Sequence, residues 1–366
     1  MRQVVTRRWY RLLGCIVACG LVGAACSQSS AVATRRAPSA TTLTMAGATF
    51  PAVLYTKWFA EYERLTGVKV NYQAIGSGGG IKSITDQTVD GGATDTPMTD
   101  EQLAAAKGDL LHVPTAVGAV AVAYNLPGIN EPVWFTPGAL AAIYLGEITR
   151  WNDPTLVAEN PALARVDRAI LVVHRSDGSG TTYVWTDYLS AVSPAWQRQV
   201  GVGTAVQWPM GLGAKGNEGV AGEVKHTPYA VGYVELTYAL QARIGVGLVR
   251  NRAGTFVEPT VESAAAAAAG VADTIAPDLR AALVDAPGEA AYPIAGFTWQ
   301  LVYRDIPDRA KATALAQLLW WELHDAQQFN AALGYAPLPP GIVERAEGQV
   351  RAITSSGQPV FQDETE

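Results

Sequence analysis

The stretch Val173-His174-Arg175-Ser176-Asp177-Gly178-Ser179-Gly180-Thr181-Thr182 is the centre around which the rest of the sequence is organised. A strand-like apolar run, 169–173, precedes it, and a helix-like run, 183–189, follows it. A helix start leaves backbone N–H groups without partners, and hydroxyls with one guanidinium beside them make a site for an anion. The alternative is a strand-to-helix turn in which the Ser and Thr side chains only cap the helix.

The same order of strand, glycine-rich turn and helix occurs twice near the start of the chain. A strand at 43–46 leads through Gly47 into a helix that Pro51 opens and Gly67 closes. A second strand, 68–73, leads through a Gly/Ser turn at 76–80 into a helix that begins at Ile81. Such units in series predict an α/β domain with parallel strands. The first helix should pack through one face, formed by Leu54, Trp58, Tyr62 and Leu65.

Two long apolar runs are predicted to be strands that connect two lobes. The first, 113–124, is apolar enough to pass through an interior, and the second, 292–303, is a candidate for the return connection. An apolar face predicts a helix over 310–333, and a further helix is expected over 342–353.

The N-terminus has the pattern of an export signal. Four arginines precede a short apolar core, which is too short for a stable membrane span, so we assign residues 1–25 to a signal peptide. Cys26 follows small residues in the manner of a lipoprotein cleavage site, and 26–42 would be a polar tether. Cys15 and Cys19 fit the same local pattern, and a leader cleaved near Ala25 without lipidation is the alternative. Each reading predicts an exported protein, either lipid-anchored at the cell membrane or periplasmic.

Charge and cysteine content narrow the function further. Loss of the leader removes four arginines and no acid, which changes the net charge from −6 to −10 and argues against a nucleic-acid partner. The whole-molecule field then repels anions, so local groups must hold any anionic ligand. The chain's 3 cysteines lie in the leader region, so we expect no internal disulfide.

Three catalytic motifs fail on particular residues, and we therefore predict that the protein is not an enzyme. A nucleophile elbow needs glycine two positions before the serine, where Asp177 precedes Ser179. A phosphate-binding loop needs Gly-Lys-Ser in sequence, but Ile81 separates Gly80 from Lys82. The 4 histidines are scattered without metal spacing, so we expect neither a metal nor a cofactor.

An anion site accounts better for the remaining polar residues. In three stretches, small hydroxyl residues lie beside glycine or at a predicted helix start. One aspartate and one arginine are the charged candidates. Glycine there lets the backbone approach a ligand closely. The candidates are Thr49-Phe50, Ser77-Gly78 and Ser179-Gly180-Thr181, with Asp95 and Arg175.

Taken in order, these stretches resemble the phosphate-binding proteins that serve bacterial ABC phosphate importers. The resemblance runs from Gly47 to the C-terminal helices and includes 76–80, 89–97, 143–151, 174–182, 208–217 and 232–235. It implies an α/β, two-lobed periplasmic-binding-protein fold of type II, with lobes joined by two crossing strands. The lobes would be 43–117 plus 297–366, and 118–296.

The resemblance also implies the ligand, the site and the partners. Phosphate would be held by the residues matching Thr49, Phe50, Ser77, Asp95, Arg175, Ser179, Gly180 and Thr181. Asp177 matches a residue that pairs with the arginine. Gly78 departs from relatives that carry a second serine. The implied partners are inorganic phosphate and the membrane permease subunits of an importer, with the protein a monomer held to the membrane by its lipid.

Asp95 is the residue that would select the anion. An ionised carboxylate only accepts hydrogen bonds, so it repels an oxyanion that brings no proton. Phosphate carries a proton at neutral pH and sulfate does not, so Asp95 should reject sulfate. The alternative role for Asp95 is an Asx turn before Pro97. Other functions left open are a phosphatase-like enzyme or an adhesin on the same scaffold, or a receptor for molybdate, tungstate or sulfate.

Overall fold

A computed structural model describes residues 42–361. The predicted signal peptide, Cys26 and all of the tether except Thr42 lie outside the described residues. The strands in the described part of the chain are β1 Thr42–Gly47, β2 Lys69–Ala74, β3 Gly91–Thr94, β4 Leu110–Tyr124, β5 Trp134–Phe135, β6 Leu171–Arg175, β7 Leu212–Ala214, β8 Ala230–Glu235, β9 Gly245–Val246, β10 Leu248–Arg250, β11 Phe256–Val257, β12 Ala295–Tyr303, β13 Thr354–Ser355 and β14 Gln358–Pro359.

Helices cover the sheet and fill the connections between strands. Within residues 42–361, none of them combines the length and the apolarity needed to cross a membrane. The α-helices are α1 Ala52–Thr66, α2 Ser77–Thr85, α3 Asp100–Ala105, α4 Pro137–Leu145, α5 Pro154–Glu159, α6 Gly180–Val192, α7 Pro194–Gln199, α8 Gly216–His226, α9 Leu236–Ala242, α10 Val261–Val271, α11 Arg309–Leu323 and α12 Pro340–Arg351. Short 3₁₀ segments lie at Pro161–Arg165, Ala272–Thr274, Asp325–Phe329 and Ala331–Leu333.

One curled sheet runs through the molecule in the order β2-β1-β3-β12-β4-β8-β6-β7, with β9 also paired to β4. Strands β1, β2 and β3 are mutually parallel, and so are β6, β7 and β8. These two parallel groups confirm the α/β units predicted from the sequence. Strand β12 runs antiparallel to both β3 and β4.

Strands β4 and β12 connect two lobes, as the two apolar runs predicted. The first part of β4 pairs with β12, and its last five residues, 120–124, pair with β8. Both strands are buried almost throughout because the protein covers both of their faces. The β4–β12 register shifts between Thr298 and Trp299, and Pro114, which has no N–H, lies opposite Trp299 at this irregularity.

Three predicted helices differ from the structure, one in its buried face and two in their boundaries. In α1 the predicted face of Leu54, Trp58 and Tyr62 is buried, but Leu65, in the last turn of the helix, is exposed. Helix α2 begins at Ser77 and not at Ile81, so the predicted Gly/Ser turn is the first helical turn. The helix predicted over 310–333 ends at Leu323 and continues as separate 3₁₀ segments.

Candidate functional site

The candidate residues meet where strands of the two lobes end. Thr49 and Phe50 follow β1, Ser77 opens α2 after β2, and Asp95 directly follows β3. The carboxyl ends of parallel strands lie at one edge of a sheet, which brings these residues together. From the other lobe, β6 ends at Arg175 and α6 begins at Gly180. The side chains of Thr49, Phe50, Ser77, Asp95, Arg175, Ser179 and Thr181 are at most 3% exposed.

The two lobes touch through glycine. The Gly78 N–H donates to the Gly178 carbonyl at 3.0 Å. A Cβ added to Gly180 would lie 2.4 Å from Ser77 Oγ and 2.5 Å from Asp95 Cβ, so only glycine fits at position 180 in this conformation. A Cβ at Gly78 would lie 3.2 Å from Gly178 Cα, so a serine at position 78 would require the Gly178 backbone to shift by a few tenths of an ångström.

Arg175 supplies a buried cation that is already oriented. Its Nε and Nη2 donate to the two carboxylate oxygens of Asp177 at 2.8 and 2.6 Å, a bidentate pair. Burial acts to raise the pKa of Asp177, but the hydrogen bonds from Arg175 and the Gly216 N–H outweigh it, and that pKa is lowered. Arg175 Nη1 points to the Thr181 hydroxyl at 3.4 Å. The arginine thus faces into the site and is not part of a surface ion pair.

Asp95 lies opposite, and hydroxyl groups hold both of its carboxyl oxygens. Thr298 Oγ1 donates to Oδ1 at 2.9 Å, and Ser77 Oγ donates to Oδ2 at 3.2 Å. Burial raises the pKa of Asp95 to about 7, against the opposing effects of the Thr298 hydrogen bond, the charge of Arg175 and the Ser77 hydrogen bond. The carboxyl therefore lies near the balance between its ionised and protonated forms at neutral pH.

Backbone N–H groups without a partner line the same space. Those of Phe50, Gly180 and Thr181 belong to buried residues and meet no hydrogen-bond acceptor within residues 42–361. Buried N–H groups are almost always paired, so three unpaired ones around one arginine indicate a place for an acceptor-rich ligand. Ser179 Oγ accepts from the Thr182 N–H at 3.0 Å, which confirms that it caps the helix. Its hydroxyl proton remains available to donate elsewhere.

Two residues of this cluster could not be selected from the sequence. Thr298 lies on β12 and reaches Asp95 because β12 pairs with β3. Asn217, at the start of α8, donates through Nδ2 to Thr49 Oγ1 at 2.9 Å and to Thr181 Oγ1 at 3.1 Å. Asn217 ends the stretch 208–217, and the family resemblance of that stretch was the only signal that pointed towards it.

The hydroxyl of Ser179 and the ring of His174 are both held by other groups. Ser179 accepts from a backbone N–H, and the nearby His174 ring stacks on Trp208 with centroids 4.7 Å apart, while its Nδ1 shares a hydrogen bond with the Arg175 carbonyl. In the described part of the chain, no group of three or more His, Cys, Asp or Glu side chains could hold a metal ion.

With the site in place, comparison with known proteins identifies the family. The model of the PBP superfamily domain matches residues 32–320. The phosphate-binding protein PstS of Xylella fastidiosa strain 9a5c is 43% identical over 304 residues, which cover 82% of this chain and 83% of that protein. The PstS of Pasteurella multocida is 40% identical over 326 residues, covering 88% and 94%. This chain belongs to the PstS family.

Relatedness within the PstS family extends to an archaeon. The PstS of Methanocaldococcus jannaschii is 37% identical over 360 residues, which cover 91% of each chain. Among solved structures, a high affinity periplasmic phosphate-binding protein bound with phosphate, PfluDING, superimposes with a TM-score of 0.69 at 22% identity, over 84% of this chain and 93% of that one. At this level of identity the structural similarity shows only the fold, and that fold is the two-lobed periplasmic-binding-protein architecture.

Proposed function

We propose that this protein binds inorganic phosphate outside the cytoplasmic membrane and delivers it to the membrane permease subunits of an ABC importer. The observation that carries the proposal is the buried set of unpaired donors: three N–H groups and several hydroxyls arranged around Arg175, with one carboxyl opposite. A tetrahedral anion offers acceptors in every direction and so satisfies donors that converge from several elements. The family relationship supports the same ligand, since the named relatives are phosphate-binding proteins.

The residues take distinct roles in this proposal. Arg175, fixed by Asp177, neutralises charge, and the N–H groups and the hydroxyls of Thr49, Ser179 and Thr181 donate to phosphate oxygens. The Ser77 hydroxyl donates to Asp95 in this structure and would turn its proton to the anion on binding. Asp95 accepts the proton that phosphate carries. The proposed ligand set is Thr49, Phe50 N–H, Ser77, Asp95, Arg175, Ser179, Gly180 N–H and Thr181.

Selectivity follows from the proton shared between Asp95 and the anion. When Asp95 is ionised, a sulfate oxygen facing it places two acceptors against each other, and a buried site offers no water to separate them. When phosphate occupies the site, either partner can hold the proton. The raised pKa of Asp95 adds a condition to the sequence-based argument: rejection of sulfate depends on pH.

Release and delivery require the lobes to separate. The proposed ligands are buried, so an anion reaches them only when the lobes, which we place at 43–117 plus 297–366 and at 118–296, move apart about β4 and β12. We further propose that the protein acts as a monomer, held at the membrane by a lipid on Cys26, and that it catalyses no reaction.

Calorimetric titration of the purified mature chain tests this function. We expect saturable 1:1 binding of phosphate, competition by arsenate, and loss of tight binding in Arg175→Ala. Failure of the wild type to bind phosphate would refute the proposal. A chromogenic phosphate ester tests the enzymatic alternative: turnover by the wild type that is lost in Ser179→Ala would show a phosphatase.

A further inference from the structure

Asn217 lies between the two lobes and uses every polar group of its side chain. Its Nδ2 donates to the hydroxyls of Thr49 and Thr181, and its Oδ1 accepts from the Glu235 N–H at 2.9 Å. A backbone N–H can only donate, so the amide oxygen must face Glu235, and the NH₂ group must face the two hydroxyls. The contact with Glu235 therefore fixes which way the amide points. The Asn217 side chain is fully buried.

The two hydroxyls that accept hydrogen bonds from Asn217 have no accepting capacity left. Thr49 Oγ1 accepts from Asn217 Nδ2 and also from the Asn217 N–H at 3.3 Å. Thr181 Oγ1 accepts from Asn217 Nδ2 and from Arg175 Nη1. A hydroxyl has one proton and two lone pairs, so both oxygens have used their accepting capacity and can only donate further. Neither proton has an acceptor among the residues that the structure describes.

We propose that Asn217 is a positioning residue that makes Thr49 and Thr181 obligate donors to the bound anion. This inference rests on the proposed phosphate site and deepens it. Thr49 comes from one lobe and Thr181 from the other, so the single amide also ties the lobes together in the closed form. Because these two hydroxyls can only donate, they bind only ligand oxygens that carry no proton. The ligand's proton must therefore face Asp95. The site therefore takes a tetrahedral oxyanion in one protonation pattern and rejects one whose ester group or second proton faces the threonines.

A double-mutant cycle on phosphate affinity tests this role. Asn217→Ala in the wild type should weaken phosphate binding by about 30-fold, because two charge-assisted hydrogen bonds lose their alignment. In a chain that already carries Thr49→Val and Thr181→Val, the same change should cost less than about threefold, since no hydroxyl remains to be oriented. An equal loss in both backgrounds would show that Asn217 acts independently of the hydroxyls and would overturn the proposal.

Asn217→Asp is a second test variant, and its thermal unfolding checks that the chain still folds. It keeps Oδ1 for the Glu235 N–H but replaces the donating NH₂ with an acceptor, so both hydroxyls would donate to the new carboxylate and not to the anion. We expect it to bind phosphate more weakly than Asn217→Ala at pH 8, while thermal unfolding without phosphate shows a folded protein. Binding as tight as that of the wild type would overturn the assignment. Absence of phosphate binding in the wild type itself would instead refute the proposed function.

Discussion

Acidification should let sulfate into the site. Both oxygens of Asp95 accept hydrogen bonds from hydroxyls, and burial raises the pKa of this carboxyl to about 7. The protonated carboxyl can donate to an oxyanion, whereas the ionised one repels it. Sulfate stays unprotonated between pH 5 and pH 8, so its affinity reports the state of Asp95 alone if no other group facing the anion titrates.

The magnitude follows from the fraction of protein in the competent state. With a pKa of about 7, Asp95 is protonated in roughly 9% of molecules at pH 8 and in nearly all of them at pH 5. Apparent affinity scales with the competent fraction, so sulfate should bind about tenfold more tightly at pH 5 than at pH 8. Calorimetry of the wild type with sulfate at four pH values across this range measures the change.

Asp95→Asn is the control, because the amide can donate at every pH. Sulfate affinity in this variant should change much less with pH than in the wild type and should exceed that of the wild type at pH 8. Burial also raises the pKa of Glu235 to about 8, so part of any residual pH dependence in the variant would belong to that neighbour. A wild-type sulfate affinity that does not change with pH, or the same change in both proteins, would refute the role of Asp95.

Three further changes test the packing and the electrostatics around the site. Gly180→Ala should lower phosphate affinity by at least about 100-fold, because its Cβ would lie 2.4 Å from the Ser77 hydroxyl oxygen. Gly222→Ala is the control: its added Cβ has no atom within 4 Å, so phosphate affinity measured by calorimetry should not change. Thr298→Val removes a hydrogen bond that lowers the pKa of Asp95, so the midpoint of the sulfate–pH profile should move above pH 7; an unmoved midpoint would contradict this. Burial raises the pKa of Glu322 from 4.5 to about 8, so between these pH values the folded state keeps a proton that the unfolded chain has lost. The contribution of Glu322 to the free energy of unfolding is therefore fully present below pH 4.5 and is lost as pH rises towards 8. Glu322→Gln should flatten this decline by roughly 1.4 kcal/mol per pH unit in denaturant unfolding, and identical slopes in both proteins would argue against it.

The parts of the site that sequence could predict are those built from local geometry. The stretch 173–182 predicted a strand, a turn and a helix start, and the structure has β6, the turn and α6 in those places. The pairing of Arg175 with Asp177 is also local, since the two are separated by one residue. Glycine beside hydroxyl residues likewise predicted a close approach of the backbone to another group. In the structure Gly180 lies against Ser77 of the other lobe.

The parts that sequence missed depend on pairing between distant segments. Thr298 and Asp95 are 203 positions apart, and only the antiparallel pairing of β12 with β3 brings them together. Asn217 is 168 positions from Thr49, and its role depends on the closed arrangement of the lobes. The helical state of Ser77–Gly80 was missed for another reason: glycine has a low helix propensity, and tertiary contacts override it here. The raised pKa of Asp95 also required knowledge of its burial.

A phosphate titration in excess sulfate at pH 8 tests the central claim most directly. At this pH Asp95 is mostly ionised, and the site should strongly prefer an anion that brings its own proton. The account predicts 1:1 phosphate binding whose apparent Kd rises with added sulfate only about a tenth as steeply at pH 8 as it does in a parallel titration at pH 5. An equally steep rise at both pH values, at constant ionic strength, would contradict it.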